Sequence, residues 1–230
     1  MYKSITPLRS DEHNSFRYTE PSDFNFAKNT FLIPVTLPEI PRLCCEFPIV
    51  FFGEKKPVLT LITGIAETGN LAINSKGQWQ CQYVPVFLRR YPFVPTRTEK
   101  DEITIGVDLE SGCFSNPDGQ RLFDEQGQLT DFFKKKITLM RSFDNQMGKT
   151  TEMIEKLEEY EILKASVLQI GKGNNGKKLG GFKLVDFKKL LSMDDKVLAD
   201  WARKGWLNAL SLQQLSLSHF DKFFKLKVKQ

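Results

Sequence analysis

Arg89-Arg90-Tyr91-Pro92-Phe93 is the string whose residue types most invite chemistry. A guanidinium can hold a carboxylate or a phosphate through two parallel hydrogen bonds. Read as a strand, adjacent arginines point to opposite faces, so one turns inward and needs an acid or a carbonyl for a partner. Glu46 and Asp108 are the acids that could take it and lock a sheet. With Asn70 and Tyr83, the residues Arg89, Arg90 and Tyr91 make up a candidate ligand-binding set. A concave site where they converge is what a metal-free enzyme or a small-ligand protein built on this segment requires.

Other motifs come close to known chemistry and stop short. Gly171-Lys172-Gly173-Asn174-Asn175-Gly176-Lys177-Lys178 approaches the phosphate-cradling pattern GxxxxGK[ST]. Lys178 stands where the magnesium-binding hydroxyl belongs, and Gly180-Gly181 interrupt the helix that must follow, so a hairpin turn is expected. His219 and Asp221 have the H-x-D spacing of an iron site, but the only other histidine is His13, far upstream. A third imidazole ligand is missing, and so is a G-x-S-x-G elbow for a serine nucleophile. The four cysteines, Cys44, Cys45, Cys81 and Cys113, match no zinc template, and adjacent Cys44 and Cys45 do not easily bridge. Reduced, mostly buried thiols in a cytosolic protein are the expectation. No metal, cofactor or catalytic residue is assigned, and a non-enzymatic role is favoured.

The elements that must position these groups change character along the chain. Residues 1–30 are polar with scattered aromatics and read as an irregular arm laid over the body. From Phe31 short β-rich runs follow, separated by turn signals: 31–37, with Pro34 pushing it to an edge or a bend, then 48–52, 58–63, 71–74 and 78–83. Ile103 to Asp108 alternates apolar and polar residues, the signature of a half-buried strand. Asn116-Pro117-Asp118-Gly119 is a turn. After about residue 125 the hydrophobic period lengthens. Helices are expected over 128–140 and 150–163, with two strands at 167–170 and 182–185 between them and the next helix. That helix is opened by Ser192-Met193-Asp194-Asp195 and closed at Gly205, and a last one starts near Ser211. The predicted class is α+β: a mainly antiparallel, β-rich part over about 31–125 and a helical part over about 126–230 packed on it. No Pro/Gly/Ser linker interrupts the chain, so residues 1–230 are expected to form a single domain.

Charge and composition narrow the partners. Lys and Arg number 33 against 28 Asp and Glu, a formal net charge of +5, and the basic excess sits in the second half. Lys134-Lys135-Lys136, Lys177-Lys178, Lys188-Lys189 and the tail from Lys222 to Lys229 carry it. Arginines and aromatics are not interleaved with these lysines, so nucleic acid is an unlikely partner and a solvated surface is expected. Peripheral contact with an anionic membrane through the basic C-terminal tail stays open. The start of the chain carries no apolar leader and no run of 18 apolar residues occurs, so a cytoplasmic location is expected, with export by another route left open. The chain holds 19 Phe against 5 Tyr and 3 Trp, which points to an aromatic core with some surface use.

Taken in order, several of these strings resemble the SapC-like family of bacterial proteins. The resemblance is carried by Phe47-Pro48-Ile49-Val50-Phe51, Gly64, Asn70-Leu71, Gly77, Trp79, Tyr83 and Pro85, and then by Arg89-Arg90-Tyr91-Pro92-Phe93. Asp108, Gly119, Leu122-Phe123 and Gly127 follow, with weaker echoes at Gly181-Phe182, Val185-Asp186 and Leu215-Ser216-Leu217. It implies a protein whose family name is tied to a bacterial surface layer and serum resistance. Similar proteins stand beside genes for outer-membrane nutrient uptake and for oxygenase- or halogenase-like proteins. The expectation that follows is a binding or accessory protein with an unknown protein or small-molecule partner. No catalytic residues come with the resemblance. An unrelated peptide-transport permease shares the name but spans a membrane.

Overall fold

The computed structural model describes residues 1–97, 103–114, 117–170 and 177–224. Two compact units divide the chain. The first holds Met1–Asn29, Ile73–Gln80 and Val86–Asn145; the second holds Thr30–Ala72, Cys81–Pro85 and the residues from Gln146 on. In chain order the strands are β1 (Ile5–Pro7), β2 (Arg17–Tyr18), β3 (Leu32–Pro34), β4 (Ile49–Phe52), β5 (Val58–Ile62), β6 (Gly64–Ile65) and β7 (Gly69–Asn70). They continue with β8 (Phe93–Arg97), β9 (Ile103–Asp108), β10 (Gln120–Arg121), β11 (Leu163–Ile170) and β12 (Lys177–Val185). The helices are α1 (Ser10–His13), α2 (Ile40–Leu43), α3 (Val86–Arg89), α4 (Asp131–Glu159), α5 (Phe187–Leu191), α6 (Asp195–Arg203), α7 (Trp206–Ser216) and α8 (Asp221–Phe224). Strand pairs among the described residues are antiparallel, and the class is α+β.

In the first unit β9 lies between β1 and β8, with Ile5 opposite Asp108 and Phe93 opposite Val107. Its core is aromatic. Tyr18, Phe93 and Phe133 are almost fully buried, and the Phe93 ring lies 5.1 Å from both other rings. Phe133, Ile137 and Met140 repeat at four and three residues, so one stripe of α4 faces this cluster. The N-terminal segment is therefore not an arm laid on the outside. Tyr18 of β2 is 1% exposed and sits inside the core. A ring of this size contributes too much apolar area to be left in water when a pocket of aromatic partners exists.

The second unit is built on a five-stranded sheet in the order β11-β12-β4-β5-β3. Ile49, Val50 and Phe51 are all buried, as are Leu59, Leu61 and Ile62. Continuous apolar runs of this kind belong to strands covered on both faces. Pro34 stands in the edge strand β3, where its missing N–H costs no ladder bond. Helix α7 is fastened to β4 by polar bonds as well as packing. Ser216 Oγ accepts from the Ile49 N–H at 2.9 Å, and Gln213 Nε2 donates to the Ile49 carbonyl at 2.7 Å.

Helical boundaries differ from those expected. The two helices expected over 128–140 and 150–163 are one, α4. Nothing between them breaks a helix except Gly148, and one interior glycine costs only about 1 kcal/mol. Thr150 does not cap a new helix. Its hydroxyl donates to the Gln146 carbonyl and accepts from the Leu37 N–H at 3.0 Å. Asp194 caps α6 as its string suggests, accepting from the Lys196 N–H at 2.9 Å. Gly205, at φ +74°, makes the corner, and α7 starts directly after it rather than at Ser211. The strands around the glycine-rich loop extend further than expected, to Leu163–Ile170 and Lys177–Val185. Residues 171–176 of the phosphate-loop-like string, Asn116 of the Asn-Pro-Asp-Gly turn, and residues 225–230 of the basic tail lie outside the described residues.

Candidate functional site

The Arg-Arg-Tyr-Pro-Phe segment belongs to the first unit and is not a strand at its start. Val86 to Arg89 form the helical turn α3, closed by the Arg90 N–H on the Val86 carbonyl at 3.0 Å. A turn follows through a cis Tyr91-Pro92 bond, and Phe93 then opens β8. Side chains therefore fan around a turn instead of alternating across a sheet. Leu88 and Phe93 enter the interior, and Arg89 is exposed.

Arg90 is not held by an acid, as a strand reading suggested. Its guanidinium carbon lies 4.5 Å from the centre of the Phe87 ring and 5.4 Å from that of Phe143. This is a cation held between two ring faces. Its charge acts on the Tyr2 hydroxyl, while its Nε is buried with no hydrogen-bond partner among the described residues. Tyr2 in turn donates to the Phe93 carbonyl at 3.0 Å.

Tyr91 is buried and stacks on Phe26, with ring centres 4.0 Å apart and planes 5° from parallel. Tyr2 lies 5.5 Å away on a tilted plane. Asp108 is fully buried and collects donors around this group: the N–H groups of Lys3 at 2.9 Å, Ser4 at 3.3 Å and Glu110 at 3.2 Å. Burial, reinforced by the Asp108 charge, pushes the Tyr91 phenol well above its ordinary value.

Two concavities open on this cluster within the first unit. The larger, about 690 Å³, is walled by Tyr2, Phe26 and Tyr91 on one side and by the Glu20–Asp23 stretch and Cys113 on the other. The smaller, about 250 Å³, shares Tyr91, Glu20 and Asp23 and adds Arg89 and Lys136. Glu20 accepts from the Tyr18 hydroxyl at 2.7 Å and from the Lys136 ammonium, which itself lies over the Tyr18 ring at 5.3 Å. Asp23 accepts from the N–H and the side-chain amide of Asn25, each at 2.8 Å. Burial, then Glu20, raises the Tyr18 phenol, and burial raises the Cys113 thiol. At neutral pH these groups are protonated. In that form they do not act as bases or nucleophiles, and the Tyr18 hydroxyl already donates to Glu20.

Asn70 and Tyr83 belong to the second unit. The Asn70 amide donates to the Thr30 carbonyl at 2.9 Å and accepts from the Ala72 N–H at 3.0 Å, so both ends hold backbone. The Tyr83 hydroxyl donates to Glu39 at 3.1 Å, and the Arg42 guanidinium lies 5.1 Å over its ring. Glu39 is itself part of a capping box with Thr36. Of the five expected residues, Tyr91 walls both clefts and Arg89 the smaller. Arg90 supports Tyr2 from behind, and Asn70 and Tyr83 fasten turns of the other unit. Reading the sequence missed Tyr2, Glu20, Asp23, Phe26 and Lys136. Their one visible signal was the run of aromatics in an otherwise polar first 30 residues.

The SapC family model matches residues 8–223. The chain belongs to the SapC family. That match takes in the whole Arg-Arg-Tyr-Pro-Phe turn and all the cleft residues except Met1, Tyr2 and Lys3. No curated protein and no solved structure matches this SapC-family chain. No helix among the described residues is long and apolar enough to cross a membrane.

Proposed function

We propose that this SapC-family chain is a binding or accessory protein, and that its ligand occupies the aromatic-walled cleft beside Tyr91. The observation that carries the reading is the aromatic lining of that cleft with acids beside it. Three rings and a carboxylate-bearing stretch face a space large enough for a small molecule or a partner's side chain. The phenols and thiol beside it are held in their neutral forms. This equips the site to hold a guest by stacking and hydrogen bonding rather than to attack it. The family name supports a place alongside bacterial surface-layer or outer-membrane uptake systems. Nucleic acid is not the partner: the cleft carries Glu20 and Asp23 at its edge.

The test is retention of a ligand or partner from an extract of the native host on the immobilised full chain, read by mass spectrometry. Ser22→Trp, at an exposed position on the cleft wall, fills the space without touching the core. The expected result is a species retained by the wild type and lost in Ser22→Trp. Retention of nothing at micromolar protein, or equal retention by both, overturns the proposal.

A further inference from the structure

Cys44 and Cys45 close the last turn of α2, in the second unit. Adjacent residues in an extended chain point to opposite faces, but here the two Sγ atoms lie 3.9 Å apart. The helical backbone at Cys44 brings them together: its N–H bonds the Ile40 carbonyl at 2.8 Å, and its φ and ψ are −62° and −21°. Successive side chains on a helical turn are only about 100° apart. Cys45 is exposed; Cys44 is buried, and its thiol lies 3.7 Å from the Pro41 carbonyl.

This spacing suits a bridging atom better than a direct bond. A disulfide needs sulfurs about 2.05 Å apart on Cα atoms at least about 4.4 Å apart, whereas consecutive Cα atoms are about 3.8 Å apart. Two sulfurs bound to one tetrahedral centre by bonds of about 2.3 Å are about 3.8 Å apart, and on a pyramidal three-coordinate centre they are somewhat closer, so the two thiols need only a small rotation of their side chains to meet one atom. Among the described residues no three His, Cys, Asp or Glu side chains converge as a metal site. Cys81, in the same unit, is pushed up to about 12 by burial and by the Glu46 charge. The clamp therefore suits a centre that is satisfied by two sulfurs.

We propose that Cys44 and Cys45 form a dithiol site for a thiophilic metalloid, trivalent arsenic being the chemistry it fits. With an organoarsenic oxide, two As–S bonds form and two S–H bonds break. The oxide oxygen leaves with both protons as water, and no electrons are transferred. Burial raises the Cys44 thiol, which does not obstruct this condensation, because its protons depart with the oxygen.

The experiment adds equimolar phenylarsine oxide to the reduced full chain and counts free thiols among the four cysteines. The expected result is loss of two thiols per arsenic, reversed by excess ethanedithiol. Cys45→Ser should weaken binding by roughly 100-fold, because the second bond is no longer intramolecular. Cys81→Ser should keep the two-thiol loss. Circular dichroism confirms that each variant is folded. No thiol loss in the wild type, an undiminished loss in Cys45→Ser, or abolition in Cys81→Ser overturns the proposal.

Discussion

Asp108→Ala is the perturbation with the most to reveal about the first unit. Asp108 is 0% exposed, and its carboxylate accepts from three backbone N–H groups, those of Lys3, Ser4 and Glu110. Alanine leaves these donors without their acceptor. A hydrogen bond to a charged group is worth about 1.5–3 kcal/mol, and its loss strands a partly buried donor. Water reaches the N-terminal donors in part, and the three terms do not add in full, so the expected loss is about 3–5 kcal/mol. Urea denaturation followed by circular dichroism measures it. With a slope of about 1–3 kcal/mol per molar, the midpoint falls by more than about 1 M. Hydrogen exchange gives the local readout: the Lys3, Ser4 and Glu110 amides should lose protection together. Asp108→Asn, which keeps one acceptor oxygen, should fall between wild type and alanine. A loss below about 1 kcal/mol with those amides still protected would refute the idea that this carboxylate ties the N-terminal segment to the cleft wall.

Phe93→Ala removes the ring at the centre of the aromatic cluster and should cost about 3–5 kcal/mol in the same denaturation assay. Two glycines should respond in opposite directions. A methyl at Gly148 meets nothing within 4 Å, so Gly148→Ala should stabilise α4 by about 0.5–1 kcal/mol, seen as a raised melting temperature. A Cβ at Gly64 would lie 1.7 Å from the Gly69 carbonyl oxygen, so Gly64→Ala should break the β6–β7 hairpin and lower soluble yield. Asp186 should govern part of the acid response: its hydrogen bond to Lys164, at 2.6 Å, holds its carboxyl below the usual range. A carboxyl depressed in the folded state contributes stability above its unfolded value of about 4 and loses it as pH falls through the folded value. Asp186→Asn should therefore flatten the acid limb of a stability-against-pH curve; an unchanged limb would remove Asp186 from the account.

Much of the secondary structure was legible because period and punctuation are local. Pro34 marked an edge or a bend, the Ser192–Asp195 string a helix start and Gly205 a helix end, and each acts through local backbone geometry. The α4 boundary was misread because a helix does not end at a threonine when that hydroxyl finds partners within and beyond the helix. The segment Arg89 to Phe93, read as a strand, is a helical turn followed by a strand start. A strand reading demanded an acid for Arg90, and the helical turn supplied two ring faces.

By itself, the sequence determined the class, the antiparallel β-rich first half, the family, and which residue types were scarce enough to limit chemistry. Tertiary structure alone decided that Tyr18 is core, that Tyr91 walls two clefts with Glu20 and Asp23, and that Cys44 and Cys45 turn their sulfurs together. The physical reason is range. Propensities, caps and alternation act over a few residues, and a chain reports them directly. A cleft is made by side chains some 70 positions apart, such as Glu20 and Tyr91, and their meeting depends on how the aromatic core packs as a whole.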